Sequence, residues 1–95
     1  KIMILEIVSP EAKLYSGQVT SVTVPGVDGE FQILNHHAAI VSILNKGEIK
    51  IAATPFAATK EGSSKFFVGQ DQKHHLAINS GTLEMKDNKI IILVD

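Results

Sequence analysis

The sequence predicts an all-β domain, an antiparallel β-sandwich of about eight to ten short strands. Its composition favours strands, because twelve isoleucines and eight valines stand against seven leucines and eight alanines, and β-branched side chains suit a pleated, half-buried surface. Turn-forming residues recur every few positions and divide the chain into short segments, a spacing typical of sandwiches and barrels. At 95 residues we expect a single β-sandwich domain over residues 1–95.

The order of apolar and polar residues predicts ten strands along the chain. They span residues 2–8, 13–15, 19–24, 30–34, 38–44, 48–53, 66–68, 76–79, 82–85 and 89–94. The run 90–94 is apolar at every position, which predicts a strand covered on both faces. Phe66 and Phe67 are adjacent on a predicted strand, so at least one of the two rings is expected to be exposed.

Two segments between the predicted strands allow more than one interpretation. Ser9-Pro10 is typical of a helix start, but Ser16-Gly17 follows before two helical turns could form, so we favour a turn there. The alanine-rich stretch 52–60 is compatible with a helical turn or a loop, because Pro55 interrupts it. Both alternatives for that stretch stay open.

Charge and cysteine usage exclude several classes of protein. All nine basic residues are lysine and the net charge is -1, whereas nucleic-acid readers carry a basic excess rich in arginine. We therefore expect no nucleic-acid partner. The chain has no cysteine, which excludes a disulfide framework and a Cys-x-x-Cys site. Its longest apolar run, 90–94, is far shorter than the ~20 residues of a membrane-spanning helix.

Two histidine pairs, His36-His37 and His74-His75, are the candidate ligand residues. Adjacent strand residues point to opposite faces, so each pair can offer one imidazole to a common site. A zinc site from His37 and either His74 or His75 would need a carboxylate from Asp28 or Glu30. We favour the alternative, in which the histidines are polar residues at strand ends. Since no Gly-x-Ser-x-Gly elbow occurs either, we expect no catalytic residue, no cofactor and no metal.

Three blocks of the sequence resemble one protein family. The first, VPGVDGEFQILNHHAAIVSILNKG at 24–47, is similar to a pattern Gly-x-x-Gly-Glu-x-x-Ile-Leu-Pro-Gly-His-Ala that is followed by an apolar run and glycine. The second is INSGTLEMKDNKIIILVD at 78–95, and the third is Val8-Ser9-Pro10-Glu11 with Ser16-Gly17 after it. By these blocks the chain resembles the N-terminal domain of the epsilon subunit of the F-type rotary ATP synthase, the counterpart of mitochondrial delta.

The chain departs from the family pattern at three places. Asn35 and His36 stand where the pattern has proline and glycine, so we expect a differently shaped corner before His37. The stretch between Gly47 and Gly81 is longer than in the family, with residues 55–73 as the surplus. Members commonly continue after the last strand into a pair of helices, and because this sequence ends at Asp95 we expect the inhibitory C-terminal helical hairpin to be absent.

The resemblance implies a non-catalytic rotor subunit of the central stalk. Such a subunit passes rotation of the c-subunit ring to the gamma subunit and the catalytic head of a proton-transporting ATP synthase. It also implies peripheral attachment at the cytoplasmic face of the bacterial inner membrane, through the complex alone. The family positions that meet the c ring correspond to Asp28, Gly29, Glu30 and His37. The family positions near gamma correspond to Ser9, Ala38 and Ser42.

Two alternatives to this interpretation remain at the level of the sequence. Glu30 could simply begin a strand, and His37 could simply cap a corner. The whole chain could instead be a generic β-sandwich recognition module that binds a peptide or a sugar at an exposed sheet edge. That second alternative requires the three matching blocks to be accidental.

Overall fold

The computed structural model describes residues 2–95, and strands make up most of this range. They are β1 (Met3–Val8), β2 (Lys13–Val19), β3 (Ser21–Gly26), β4 (Gly29–Leu34), β5 (Ile40–Leu44), β6 (Gly47–Ala52), β7 (Phe66–Val68), β8 (His74–Ile78), β9 (Gly81–Lys86) and β10 (Lys89–Val94). One 3₁₀ turn, Ser63–Lys65, precedes β7. The described residues contain no α-helix, and accordingly no helix among them could cross a membrane. The predicted all-β class is confirmed.

The strands form one sheet that curls on itself. We call β2-β1-β10-β9-β5 the terminal half-sheet and β4-β3-β6-β8-β7 the central half-sheet, each in the order of hydrogen-bonded neighbours. A single residue pair, Gly26 with Leu44, joins the two halves. Within the described residues every strand pair is antiparallel except β1 with β10. The parallel pair departs from the purely antiparallel expectation, and it is possible because the rest of the chain supplies the crossover between its first and last strands.

The two half-sheets enclose a shared hydrophobic core. In β1, Met3, Leu5 and Ile7 are buried and alternate with half-buried residues, as the two-residue period of a strand requires. In β6, Ile49 and Ile51 are fully buried and belong to the same core. Because side chains from both half-sheets fill one interior, the arrangement is that of a β-sandwich.

The second strand is longer than predicted, and the turn lies elsewhere. Residues 16 and 17, a predicted turn, lie inside β2, and the chain breaks at Thr20 instead, so residues 19–24 do not form one strand. A Cβ atom at Gly17 would lie 2.6 Å from the Cβ of Ala57. Glycine is therefore required at position 17 because another segment packs closely against β2, and not because the chain turns there. The turn favoured at Ser9-Pro10 is confirmed by mutual hydrogen bonds between Ser9 and Ala12.

The last strand is covered on one face, not on both as predicted. In β10 the side chains of Ile90 and Ile92 are fully buried, whereas Leu93 is 52% exposed and Ile91 is half-buried. The prediction was wrong because the terminal half-sheet has the core on one side only. The apolar residues on its other side remain without cover from this chain.

The stretch 52–60, left open between helical turn and loop, forms a loop: Ala52 ends β6, residues 54 and 55 bend the chain, and residues 57–59 run along β2. Ala58 bridges to Tyr15, and the backbone N–H of Thr59 donates to the carbonyl of Leu14 at 3.0 Å. The hydroxyl of Thr59 also donates to the carbonyl of Lys13. These bonds pair the otherwise free edge of β2, an edge that proteins commonly have to cover.

An aromatic cluster closes the space between the two ends of the curled sheet. Phe56 lies 5.1 Å from Tyr15 and 5.0 Å from Phe66 between ring centroids, and it stacks on His74 at 3.6 Å. Phe66 packs against the core, while Phe67 is 45% exposed, so the prediction of one exposed ring is confirmed. The segment 55–73, which contains β7, thus packs on the sandwich and links β2 to β8.

Candidate partner-binding surfaces

The first candidate surface is the hairpin turn between β3 and β4. Gly26 pairs with Gly29 across a two-residue turn, and Gly29 has a φ of 121°, a backbone conformation that glycine adopts without strain. Asp28, Gly29 and Glu30 are all exposed at this tip. The carboxylate of Glu30 pairs with the Lys50 ammonium at 2.9 Å, so it is held against β6 and does not project freely.

His37 lies away from that turn. Its backbone N–H donates to the carbonyl of Leu34 at 3.2 Å, and Leu34 is at the other end of β4 from Gly29. The six residues of β4 separate the two ends by about 17 Å at the usual strand rise. The structure therefore brings together three of the four residues predicted to contact the c ring and separates His37 from them.

The corner before His37 has an unusual backbone conformation. His36 stands where the family pattern has glycine, and its φ is 65°, in the left-handed region that non-glycine residues rarely adopt. His36 thus adopts a backbone conformation natural to glycine, and the expectation that the corner differs in shape from that of the family stays a prediction. Asn88, from the turn between β9 and β10, bonds to this corner and explains how a histidine is held there.

The residues predicted to lie near gamma are spread over the terminal half-sheet. Ser9 follows β1, Ala38 precedes β5, and Ser42 lies within β5. Three inter-strand spacings, about 14 Å, separate β1 from β5. Ala38 is exposed and Ser42 is half-buried. By alternation along β5, Ser42 lies on the side of the buried Leu44 and not on that of the exposed Val41, so the predicted gamma positions do not share one face.

Sequence reasoning missed the most prominent surface of the molecule, which we call the outer apolar face. It consists of five apolar side chains on the outward side of the terminal half-sheet: Val8, Val41, Ile43, Ile91 and Leu93. The same side also carries Glu6 and Glu84, which flank Ile91 in the strand register. Val41 is 76% exposed and Ile43 is 64% exposed. In the strand register Ile43, Thr82, Leu93 and Val8 form one continuous row across four strands. Apolar residues on both faces of β5 and β10 were the available signal, and a contiguous apolar patch is typical of an interaction site.

The zinc hypothesis finds no support in the geometry. No group of three or more metal-ligating side chains comes together within residues 2–95. His37 hydrogen-bonds locally through Nδ1 to the carbonyl of Ala38 at 2.7 Å, and His74 stacks on Phe56. The combination of His37 with His74 or His75 is not assembled, because the corner after β4 and strand β8 belong to different parts of the sheet.

His75 occupies a well-defined polar site on the outer side of the central half-sheet. Its Nδ1 lies 2.8 Å from Oε1 of Glu48, and its Nε2 lies 2.9 Å from Oδ1 of Asp71. The residue is 8% exposed. Both ring nitrogens can donate only in the protonated imidazole. Accordingly the hydrogen bonds to Glu48 and to Asp71 raise the pKa of His75, and the bond to His75 lowers the pKa of Asp71.

The fold is a β-sandwich with exposed apolar side chains on the outer face of its terminal half-sheet. The family model described as ATP synthase, Delta/Epsilon chain, beta-sandwich domain matches residues 2–62. The chain therefore belongs to this family of ATP synthase subunits.

Named relatives agree with the family over nearly the whole chain. The ATP synthase epsilon chain of Helicobacter pylori (strain ATCC 700392 / 26695) is 34% identical over 91 residues, which are 96% of this chain and 61% of the relative. The ATP synthase epsilon chain of Neisseria meningitidis serogroup A is 32% identical over 94 residues, 99% of this chain and 57% of the relative. The chain thus spans about three fifths of the length of these relatives.

Solved structures share the fold at lower sequence identity. A chain in the central stalk and c-ring structure of the Tetrahymena thermophila mitochondrial ATP synthase matches with a TM-score of 0.71 and 20% identity, over 99% of this chain and 63% of that one. A chain in the Euglena gracilis mitochondrial ATP synthase structure, which contains OSCP, F1 and the c-ring, matches with a TM-score of 0.72 and 18% identity, over 98% and 50%. At this identity the match shows the same fold.

Proposed function

We propose that this chain is the β-sandwich of a central-stalk epsilon subunit in a proton-translocating ATP synthase. In this role it is a non-catalytic rotor part that couples rotation of the c ring to gamma and the catalytic head. It would be held peripherally at the cytoplasmic face of a bacterial inner membrane by the complex. The proposal is supported by family membership and by relatives named ATP synthase epsilon chain.

The outer apolar face is the observation that carries the proposal. Val41, Ile43 and Leu93 expose more than half of their surface, although the rest of the chain buries an extensive core. The centre of a stable protein interface is apolar and depleted of charge. We assign this face to contact with gamma, together with Ser9 and Ala38 near its margins and Ser42 on the opposite side of β5. His37, predicted from the sequence to contact the c ring, joins the gamma surface in this proposal, because it lies three residues before β5 and not at the β3–β4 turn.

The β3–β4 turn is assigned to the c ring. Asp28, Gly29 and Glu30 form an exposed, acidic tip, and it lies at the end of β4 opposite to His37. A polar tip of this kind suits contact with the polar loops of a ring and contributes more to orientation than to affinity. Gamma and the ring would then meet different ends and faces of one rigid sandwich, which is what transmission of torque requires.

Binding of gamma to variants of this chain tests the proposal. Val41→Asp places a charge on the outer apolar face, and we expect it to weaken the affinity for gamma at least tenfold, about 1.4 kcal/mol. Val27→Asp is the matched control, because Val27 is also exposed at 52% but lies on the turn assigned to the ring. Isothermal titration calorimetry should show the control within threefold of the unmodified chain. Equal effects of the two substitutions would contradict the proposed gamma surface.

The recognition module that binds a peptide or a sugar at a sheet edge is not favoured. The edge of β2 is covered by the segment around Ala58 and Thr59, and the edge strand β7 has only three residues, although β4, which pairs with β3 alone, leaves one edge open. Membership of the ATP synthase family also removes the premise that the matching blocks are accidental.

A further inference from the structure

The corner between β4 and β5 carries a conformation that its own residues do not favour. His36 has a φ of 65°, and left-handed backbone is unfavourable for a residue with a Cβ atom. The corner is also exposed, since residues 34–39 all face solvent. Local packing therefore contributes little to holding it, and a conformation of this kind persists only where the surroundings impose it.

Asn88 is the residue that imposes it. Its Oδ1 accepts a hydrogen bond from the backbone N–H of His36 at 2.8 Å, and its Nδ2 donates to Oδ1 of Asn35. Both ends of one amide are thus engaged with one corner, 52 and 53 positions away in sequence. Asn88 is 5% exposed, so water competes poorly for these bonds.

The turn that contains Asn88 has itself a regular backbone conformation. Asp87 and Asn88 have φ values of 52° and 63°, the pattern of a two-residue hairpin turn that matches the twist of its strands. The turn joins β9 to β10, and β9 pairs with β5 from Ile40 onwards. The two hydrogen bonds of Asn88, which we call the tether, therefore link the corner to β9 and β10, two strands of the terminal half-sheet.

We propose that Asn88 is a positioning residue, which sets the placement of His37 and Ala38 at the margin of the gamma surface. This inference rests on the proposed function, because it takes gamma as the partner that binds at this corner. His37 follows the tethered residue directly, and its N–H closes the turn onto Leu34. Release of the tether leaves the corner without its long-range hydrogen bonds, so His37 and Ala38 lose their fixed orientation.

The experiment compares two glycine substitutions in the same turn. Asn88→Gly preserves the left-handed backbone but removes the tether, whereas Asp87→Gly preserves the backbone and the tether, since Asp87 is exposed. Hydrogen–deuterium exchange on the whole chain measures the amide of His36, and calorimetry measures the affinity for gamma. We expect Asn88→Gly to speed exchange at His36 at least tenfold and to weaken gamma binding about fivefold, with Asp87→Gly within twofold of wild type in both.

A rescue variant separates positioning from general destabilisation. His36→Gly in the Asn88→Gly background allows the corner to adopt a positive φ without strain, and we expect it to restore gamma affinity to within twofold of wild type. Unchanged exchange at His36 in Asn88→Gly would overturn the tether. Faster exchange with unchanged gamma affinity, or failure of the rescue, would overturn the positioning role.

The outcome can be separated from failure of the proposed function. If the unmodified chain does not bind gamma, the proposed function and the positioning role both fail, and the exchange data still report on the tether. If Val41→Asp weakens binding and Asn88→Gly does not, the gamma surface stands and this inference alone is overturned.

Discussion

The outer faces of the two half-sheets differ in how they meet solvent. The terminal half-sheet exposes Val41, Ile43 and Leu93, which have no cover from the chain. The central half-sheet instead carries most of the paired charges, Glu30 with Lys50 and His75 with both Glu48 and Asp71, whereas the terminal half-sheet has one such pair, Glu6 with Lys13. Much of the charge on the central face is thus paired within the chain, and the terminal face leaves adjoining apolar side chains for another molecule to bury.

This difference shows that the alternation of residues along a strand does not by itself distinguish an outer face that contacts solvent from one that binds a partner. Alternation assigns each residue to one side of a sheet, and in both half-sheets the inner side is the hydrophobic core. The character of the outer side follows from the remaining residues. In β10 these are Ile91 and Leu93 after Lys89 at the start of the strand, whereas in β6 they include Glu48 and Lys50.

The largest expected effect comes from breaking the core beneath the outer apolar face. Ile92 is fully buried and Leu93 is exposed, although they are neighbours on one strand. Ile92→Ala should lower the free energy of unfolding by about 2 to 5 kcal/mol, because it leaves a cavity. Leu93→Ala should change it by about 0.5 kcal/mol or less, as measured by urea denaturation. Similar losses for both variants would mean that the outer face is not free in the isolated chain.

The next effect concerns the charged face and depends on pH. His75 has a pKa raised first by Glu48 and then by Asp71, with Lys50 on β6 and Lys73 in the adjoining loop as the neighbouring cations. Because its pKa is higher in the folded chain than in the unfolded chain, its stabilisation is complete below about pH 6.5 and is lost as the pH rises through the folded value. His75→Gln should therefore cost about 1 to 3 kcal/mol near pH 6, as for hydrogen bonds to charged groups, and less near pH 9.

Urea denaturation across this pH range checks the sign of the effect. Asp71→Asn serves as the companion variant, since it leaves the Glu48 bond in place, and it should show a smaller pH-dependent loss than His75→Gln. A stability difference between wild type and His75→Gln that stays constant with pH would show that the imidazole does not change its charge in this window.

The smallest expected effect is at the turn assigned to the c ring. The Glu30 side chain is 50% exposed in its pair with Lys50, and exposed ion pairs contribute about 0.2 to 1 kcal/mol. Glu30→Lys should lower the stability of the isolated chain by about 1 kcal/mol or less and weaken coupling in the assembled enzyme modestly. Glu30→Gln, which removes the charge without reversing it, should have a smaller effect on proton pumping. Cross-linking of a cysteine at position 30 to gamma, and not to the ring, would speak against this assignment.

Much of the fold could be predicted from the sequence because strand and turn signals are local. The alternation of Met3, Leu5 and Ile7 predicts the inward face of β1, and Asp87-Asn88 predicts the hairpin before β10. Both depend on neighbours within a few positions. Local signals failed at Gly17, where the need for glycine comes from Ala57, forty positions further along the chain.

The sequence by itself therefore determined the all-β class, most strand positions and, through its family blocks, the subunit that the chain resembles. Only the tertiary structure decided that β1 and β10 are parallel, that His37 lies a strand's length from Glu30, and that Asn88 holds the corner at His36. The physical reason is the range of the interactions. Side-chain periodicity acts over two to four residues, whereas strand pairing, curling of the sheet and the hydrogen bonds of a buried amide join residues that only the packed core brings together.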